Sequence, residues 1–255
     1  MNIDSSAAGS HDQPLAEYSV NYLRLIGLAF IFLALFAFFL LEVGISQEDL
    51  ILDILLIFIP LSLAIYRVIV LFINLGLRVR VYKDRLTYTN RGATQTFLWN
   101  NIDKIWSFRL KIHSILWVNY IRVKIQDMSG EKIILDRTLR KVKKLEETIQ
   151  EEITKVKFPQ AIKTLQAGGA LTFGDLTLTN ETITHEKTIT HKKTSIPWRD
   201  LVRVQVWQGS VRFGERGKRF YQIVASISKI PNYHLFATLF ERLSQEHRSE
   251  LRVEN

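Results

Sequence analysis

Eight cations fall into two groups whose spacing could do chemistry. Arg140, Lys141, Lys143 and Lys144 open a helical segment, and Arg212, Arg216, Lys218 and Arg219 surround Gly214 and Gly217. Clustered Lys and Arg attract anions, so the chemistry to expect is binding of an anionic surface. The first group opposes the helix dipole, which favours acids in the first turn, while Glu146, Glu147, Glu151 and Glu152 follow only later. That order costs a few tenths of a kcal/mol per charge and points to a partner, with a Lys143–Glu147 pair as partial compensation. The second group is a glycine-flexed loop with four cations around one acid, Glu215. A solvated face is the plain alternative for either group.

Other chemistries lack their residues. The chain has no Cys, which excludes a disulfide scaffold, a thiolate metal site and a cysteine nucleophile. His185 and His191 stand six apart without clustered Asp or Glu, so a solvated hairpin face is expected rather than a metal site. A G-x-S-x-G elbow is missing. Gly168-Gly169 and Gly209, Gly214 and Gly217 lack the Lys-Ser/Thr and the spacing of phosphate-binding loops. No catalytic residue, metal or cofactor is therefore expected, and the protein is expected not to be an enzyme.

Two apolar runs must place the basic part. Leu25 to Leu41 carries no charge, and Ile54 to Ile73 is broken only by Pro60, Ser62 and Arg67. Each is long enough to cross a bilayer. A secretory signal is disfavoured by the acidic flank Asp4, Asp12 and Glu17 and by the lack of a small-residue cleavage pattern. The connector carries Glu42, Glu48, Asp49 and Asp53, whereas Arg78, Arg80, Lys83 and Arg85 follow the second run. The positive-inside rule then puts both termini in the cytoplasm of a multi-pass inner-membrane protein. Arg67 lies close enough to the second exit to snorkel toward headgroups. Residues 1–80 hold 4 Lys/Arg against 7 Asp/Glu, and residues 81–255 hold 30 against 18, a body of +12 in a chain of +9. Nucleic acid is the rival partner for such a body, but no reader motif accompanies the charge.

Past Leu77 the apolar period becomes strict alternation broken by Asn and Gly turns, the pattern of antiparallel strands. The pattern then recurs. At an offset of 97, Val79, Val81, Asp84 and Leu86 fall on Leu176, Leu178, Glu181 and Ile183, and after a hairpin two residues longer Leu98-Trp99 falls on Pro197-Trp198. Ile121, Val123 and Ile125 meet Ile223, Ala225 and Ile227 further on. Each copy closes on an apolar helical face, Leu139, Val142, Leu145, Ile149, Ile153 and Val156 in the first and Phe236, Leu239, Phe240 and Leu243 in the second. Phe158-Pro159 is expected to end the first helix, with a short helix to Gln166 stopped by Gly168-Gly169. Trp99 and Trp198 are expected in the cores; Trp106, Trp117 and Trp207 have no doubled placement and suit a headgroup level equally.

On the early hairpins Asp84-Arg85-Leu86 and Glu181-Thr182-Ile183, the Trp step and the terminal helix, each copy resembles a bacterial pleckstrin-homology-like (PH-like) domain. Two spans before such copies resemble bacterial membrane proteins with PH-like cytoplasmic modules. The resemblance implies an α+β fold: a transmembrane helical hairpin, then two tandem modules, each a curled antiparallel sheet capped by a C-terminal helix. The expected divisions are a flexible segment 1–20, the hairpin 21–75, a first module 76–157, a linker 158–170, a second module 171–248 and a tail 249–255. The expected function is non-enzymatic display of these modules at the cytoplasmic face for anionic lipid headgroups, a membrane-protein partner, or both. A subunit or assembly factor of a membrane complex is the alternative.

Overall fold

The computed structural model describes residues 13–42, 50–112, 118–186 and 192–253. The fold is α+β, two apolar helices followed by open antiparallel sheets and a C-terminal helix. It divides into two compact units, Met1–Thr96 with Thr138–Arg140, and Phe97–Arg137 with Lys141–Asn255.

In the first unit, α1 (Tyr22–Glu42) and α2 (Leu50–Ile73) form the hairpin. The stretches Tyr22–Leu41 and Ile54–Ile73 each have a mean hydropathy of 2.6, long and apolar enough to cross a membrane. Their apolar side chains are bare: Phe30, Ile31 and Phe38 on α1 and Phe58, Ile59 and Phe72 on α2 are all more than half exposed. A soluble core helix hides such groups. Arg67 is half-buried, its guanidinium 5.8 Å from the Tyr66 ring, and no acid pairs with it among the described residues.

The helices leave and re-enter one sheet. β1 (Ala16–Ser19), which lies in the segment expected to be flexible, pairs antiparallel with β2 (Arg78–Val81), from Ala16↔Val81 to Ser19↔Arg78. Tyr18 and Val20 turn inward and are buried, while Glu17 takes a hydrogen bond from Arg80 Nε at 3.1 Å. Two apolar positions are too few for periodicity to announce a strand. β3 (Arg85–Asn90) and β4 (Ala93–Leu98) complete the order β1-β2-β3-β4, and the β3–β4 turn uses Arg91 and Gly92 at positive φ, as a two-residue hairpin loop requires. The helical hairpin is thus inserted between two paired strands. Gly76 N donates to Tyr22 Oη at 3.2 Å across its base, and the segment Thr138–Arg140 bonds to Ser19 and Asn21 beside β1.

The second unit begins with β5 (Ile102–Ile112), β6 (Val118–Asp127) and β7 (Lys132–Asp136), in the order β5-β6-β7, followed by α3 (Val142–Gln166). Next come β8 (Leu171–Phe173), β9 (Leu176–Leu178), β10 (Thr182–Glu186) and β11 (Lys193–Pro197), a four-stranded sheet in the order β11-β10-β9-β8. β12 (Leu201–Trp207), β13 (Ser210–Glu215) and β14 (Ile223–Ser226) form another three-stranded sheet, and α4 (Tyr233–Val253) closes the chain. One core joins Phe173, Leu176, Ile183, Phe213 and Ile223 of these sheets, with Trp198 between them, to Phe236, Leu239 and Leu243 of α4. A short 3-10 turn, Trp99–Asn101 or Trp198–Asp200, precedes each three-stranded sheet, and both tryptophans are buried as expected.

The topology corrects one strand correspondence. Ile121, Val123 and Ile125 lie in β6, the middle strand of its sheet, whereas Ile223 and Ala225 lie in β14, an outer strand as β7 is, and Ile227 opens a 3-10 turn. The middle strand of the later sheet is β13, with Val211 and Phe213 buried. Period-two alternation is alike in every half-buried strand, so an offset alone does not tell neighbours apart.

The helix expected to stop at Phe158-Pro159 continues through Pro159 to Gln166. A proline there forfeits one i→i−4 hydrogen bond and crowds the preceding turn. The loss is offset by burial beyond it, since Ala161 and Leu165 enter the same core as α4. The helix ends at Gly168, φ 77°, whose N–H donates to Leu165 O at 2.8 Å. Val156, placed on the apolar face by spacing, is 40% exposed, and Leu139 lies before the helix. Because the helix already holds its course, Pro159→Ala is expected to raise unfolding free energy by about 1–3 kcal/mol. Chemical denaturation of the full chain in detergent measures this, and an unchanged midpoint would mean the proline carries no strain.

Candidate functional site

The loop between β13 and β14 holds three of the eight cations, Arg216, Lys218 and Arg219, all exposed. Lys218 N donates to Glu215 O at 3.2 Å across Gly217, φ 73°, which tightens the turn. Arg216 N donates to Asp200 O at 2.7 Å and Arg216 Nη2 to Arg199 O at 3.2 Å. From β12, Arg203 Nη2 donates to the carbonyls of Lys218 and Arg219, so the loop is stitched to its own sheet through backbone acceptors. The side chains of Arg216, Lys218 and Arg219 are exposed, without an ion pair among the described residues, and that of Arg216 is held by the Arg199 carbonyl. Between them and Tyr221 stands Phe220, 73% exposed, with the Arg219 guanidinium 5.7 Å from its ring. Sequence reasoning missed Phe220 because an isolated aromatic in a basic loop looks the same whether it packs inward or not.

Arg212 is separate from that loop. It lies within β13 opposite Gln205, half-buried, with its guanidinium 4.4 Å from the Trp207 ring and its Nε buried without a hydrogen-bond partner. Trp106 has a matching cation, since Lys124 stands directly across the strand pair with Nζ 4.9 Å from its ring. A tryptophan under a cation from the neighbouring strand therefore occurs on both three-stranded sheets. Trp117 lies outside the described residues.

The other basic group sits where a helix begins. Lys141 has φ 53° and no side-chain cap bond, and α3 follows at Val142 with no acid in its first turn. Lys141, Lys143 and Lys144 are exposed; Lys143 meets Glu147 at 3.7 Å, the pairing its spacing allows. Arg140 is exposed and its backbone N–H donates to Ser19 O at 2.8 Å. Among the described residues, no hydrogen bond or ion pair joins Lys141, Lys143 or Lys144 to the β13–β14 loop.

His185 is buried in β10, contrary to the solvated face expected of it, because Ile183, Thr184 and His185 are all covered and the strand does not alternate there. His191 lies outside the described residues, and no three metal-ligating side chains cluster among those described.

A joint within the second unit had no sequence signal. Asn232, φ 52°, precedes α4 and caps the free edge of β5: Asn232 N donates to Ile105 O at 2.8 Å, Ile105 N to Asn232 Oδ1 at 3.1 Å, and Asn232 Nδ2 to Asp103 O at 3.0 Å. Lys157 Nζ donates to the same Asp103 carbonyl at 2.9 Å, and burial holds its ammonium below the ordinary lysine value. Beside the joint lies a cleft of about 570 Å³ lined by Arg109, Glu146, Gln150, Val206, Tyr233 and His234. Arg109 clasps the fully buried Glu146, with Nε at 3.1 and 3.2 Å and Nη2 at 3.0 Å from its carboxylate, while Gln150 Nε2 donates to Ser107 Oγ at 2.7 Å. His234 Nδ1 shares a hydrogen bond with Thr154 Oγ1 at 3.1 Å.

Comparison with curated proteins gives no match. The extent of agreement with a family model is nearly the whole chain, residues 5–249, helices and sheets together. The chain belongs to that family, a family of unknown function designated DUF6585.

Proposed function

We propose that this chain is a non-enzymatic integral membrane protein that holds two PH-like modules at the cytoplasmic face and docks one of them on anionic lipid through the β13–β14 loop. The observation that carries the reading is the loop itself, three exposed cations without an ion pair among the described residues, followed by an exposed phenylalanine. Cations near an anionic leaflet contribute about 1 kcal/mol each, and an aromatic beside them gains from the apolar boundary. The bare apolar surfaces of α1 and α2 support membrane insertion, and the acidic connector against the basic exit supports cytoplasmic termini. The tandem-module reading rests on recurrence of a four-stranded sheet, a Trp-led 3-10 turn, a three-stranded sheet and a long helix. In this reading the first module starts at β1 and carries the membrane hairpin as an insertion.

A chain without cysteine accepts a single nitroxide label, here at Phe220→Cys, in the full protein reconstituted in lipid nanodiscs. In discs containing phosphatidylglycerol the label is expected to collide more with oxygen than with a water-soluble nickel chelate, and less so in phosphatidylcholine alone. Changing Arg216, Lys218 and Arg219 together to Gln should shift the docking equilibrium by roughly 100-fold, from about 3 kcal/mol of lost attraction. Thermal stability should stay within about 0.5 kcal/mol, since the three are surface groups. A label that stays in water in both lipids removes the docking role and leaves the membrane-complex subunit as the better reading.

A further inference from the structure

The outer face of the β12–β14 sheet continues the docking loop. Pairing sets which residues share that face: Arg203 stands opposite Gly214, Gln205, Arg212 and Val224 form the next row, and Trp207, Ser210 and Ser226 the one after. Val211, Phe213, Ile223 and Ala225 alternate with them and are buried, so the core closes the inner face and leaves the outer one open. Trp207 is 46% exposed there and Val224 48%. Arg203 ties this face to the loop. A Cβ at Gly214 would stand 3.0 Å from Arg203 Nε, so glycine at that position leaves the arginine room to lie against β13. From there it reaches the carbonyls of Lys218 and Arg219, with its guanidinium 5.3 Å from the Tyr221 ring.

Charge selects what covers this face. Its three rows carry Arg203 and Arg212 and no Asp or Glu, whereas on the β5–β7 sheet Arg122 stands opposite Asp136. Neither Arg203 nor Arg212 has an ion pair among the described residues. Arg212 is held by the Trp207 ring instead, an attraction that fixes a guanidinium without neutralising it. Its charge is therefore left for an external anion, beside the aromatic ring that favours the level of lipid headgroups. We infer that the docked surface is the whole outer face of the β12–β14 sheet, with Trp207 and Val224 at the headgroup level of an anionic leaflet and Arg212 beside the lipid phosphates. The inference rests on the loop reading and extends it: contact at Trp207 as well as at Phe220 fixes the tilt of a module that one contact would leave free to pivot.

A nitroxide at Val224→Cys in the full chain reads the sheet face, in the same two kinds of nanodisc as Phe220→Cys. With phosphatidylglycerol present, collision of the Val224 label with the nickel chelate should fall about fivefold relative to phosphatidylcholine alone. Arg212→Gln should weaken the docking seen at that label about fivefold, the effect of one cation, and Arg212→Lys should restore it to within about twofold because the charge returns. Melting curves in phosphatidylcholine discs check that neither change unfolds the sheet. A Phe220 label that docks while Val224 stays in water in both lipids overturns the extended face and leaves the loop as the contact. A Phe220 label in water with Val224 shielded overturns the loop reading and keeps the face. Shielding of Val224 that is equal in the two lipids overturns the choice of an anionic leaflet. Water at both sites overturns both readings and leaves the face to an acidic protein partner.

Discussion

Trp198→Ala is expected to cost about 3–5 kcal/mol of unfolding free energy, the range for removing a fully packed indole. Trp198 is 4% exposed, its ring lies 5.4 Å from that of Phe240 on α4, and its Nε1 donates to Thr179 O at 2.9 Å. Three elements therefore lose contact at once: the 3-10 turn, the turn before β10 and the last helix. Trp198→Phe separates the contributions, because it keeps much of the aromatic contact and leaves the Thr179 carbonyl without its donor, a loss of about 1–2 kcal/mol. Trp99, 1% exposed at the corresponding turn, should respond to alanine as Trp198 does. Denaturant titration of the full chain, followed by hydrogen exchange at Leu176, Phe213 and Leu239, distinguishes the cases. A loss below about 1 kcal/mol for Trp198→Ala would be incompatible with a core indole and would return the residue to the candidates for binding.

The large apolar features were legible because composition alone declares them. The stretches Tyr22–Leu41 and Ile54–Ile73 announce themselves by length, and the two Trp turns by doubled placement. β1 was not legible, since a four-residue strand takes its identity from pairing with β2 after the whole helical hairpin has intervened. Pro159 failed as a stop signal because local propensity yields to burial of Ala161 and Leu165. The basic site was legible as charge and not as shape: Arg212 belongs by sequence to the cluster, yet cross-strand geometry lays it on Trp207, and only the fold shows Phe220 standing out among the remaining cations. Asn232 and Glu146 depend on residues more than thirty positions away, Ile105 and Arg109, which no periodicity connects.

Breaking the Arg109–Glu146 pair should show how much a charge hidden under α3 depends on its partner. Glu146 is fully buried, whereas the Arg109 side chain is half exposed to the cleft, so the two single changes are not equivalent. Arg109→Met leaves a carboxylate in the protein interior with only the Gln150 amide, 3.3 Å away, to compensate. The expected cost is about 3 kcal/mol, the lower end for a broken buried pair because the cleft admits water on one side. Glu146→Leu removes the buried charge and leaves a guanidinium that water can solvate, which should cost about 1 kcal/mol or less. The double change Arg109→Met with Glu146→Leu replaces the pair by apolar groups of similar size and should fall within about 1 kcal/mol of the parent. A coupling energy of about 2–3 kcal/mol from this cycle is the signature of a buried charge rescued by its partner. Additive single changes would place the cost in lost packing of the long arginine stem against α3 and leave the ion pair without a role in stability.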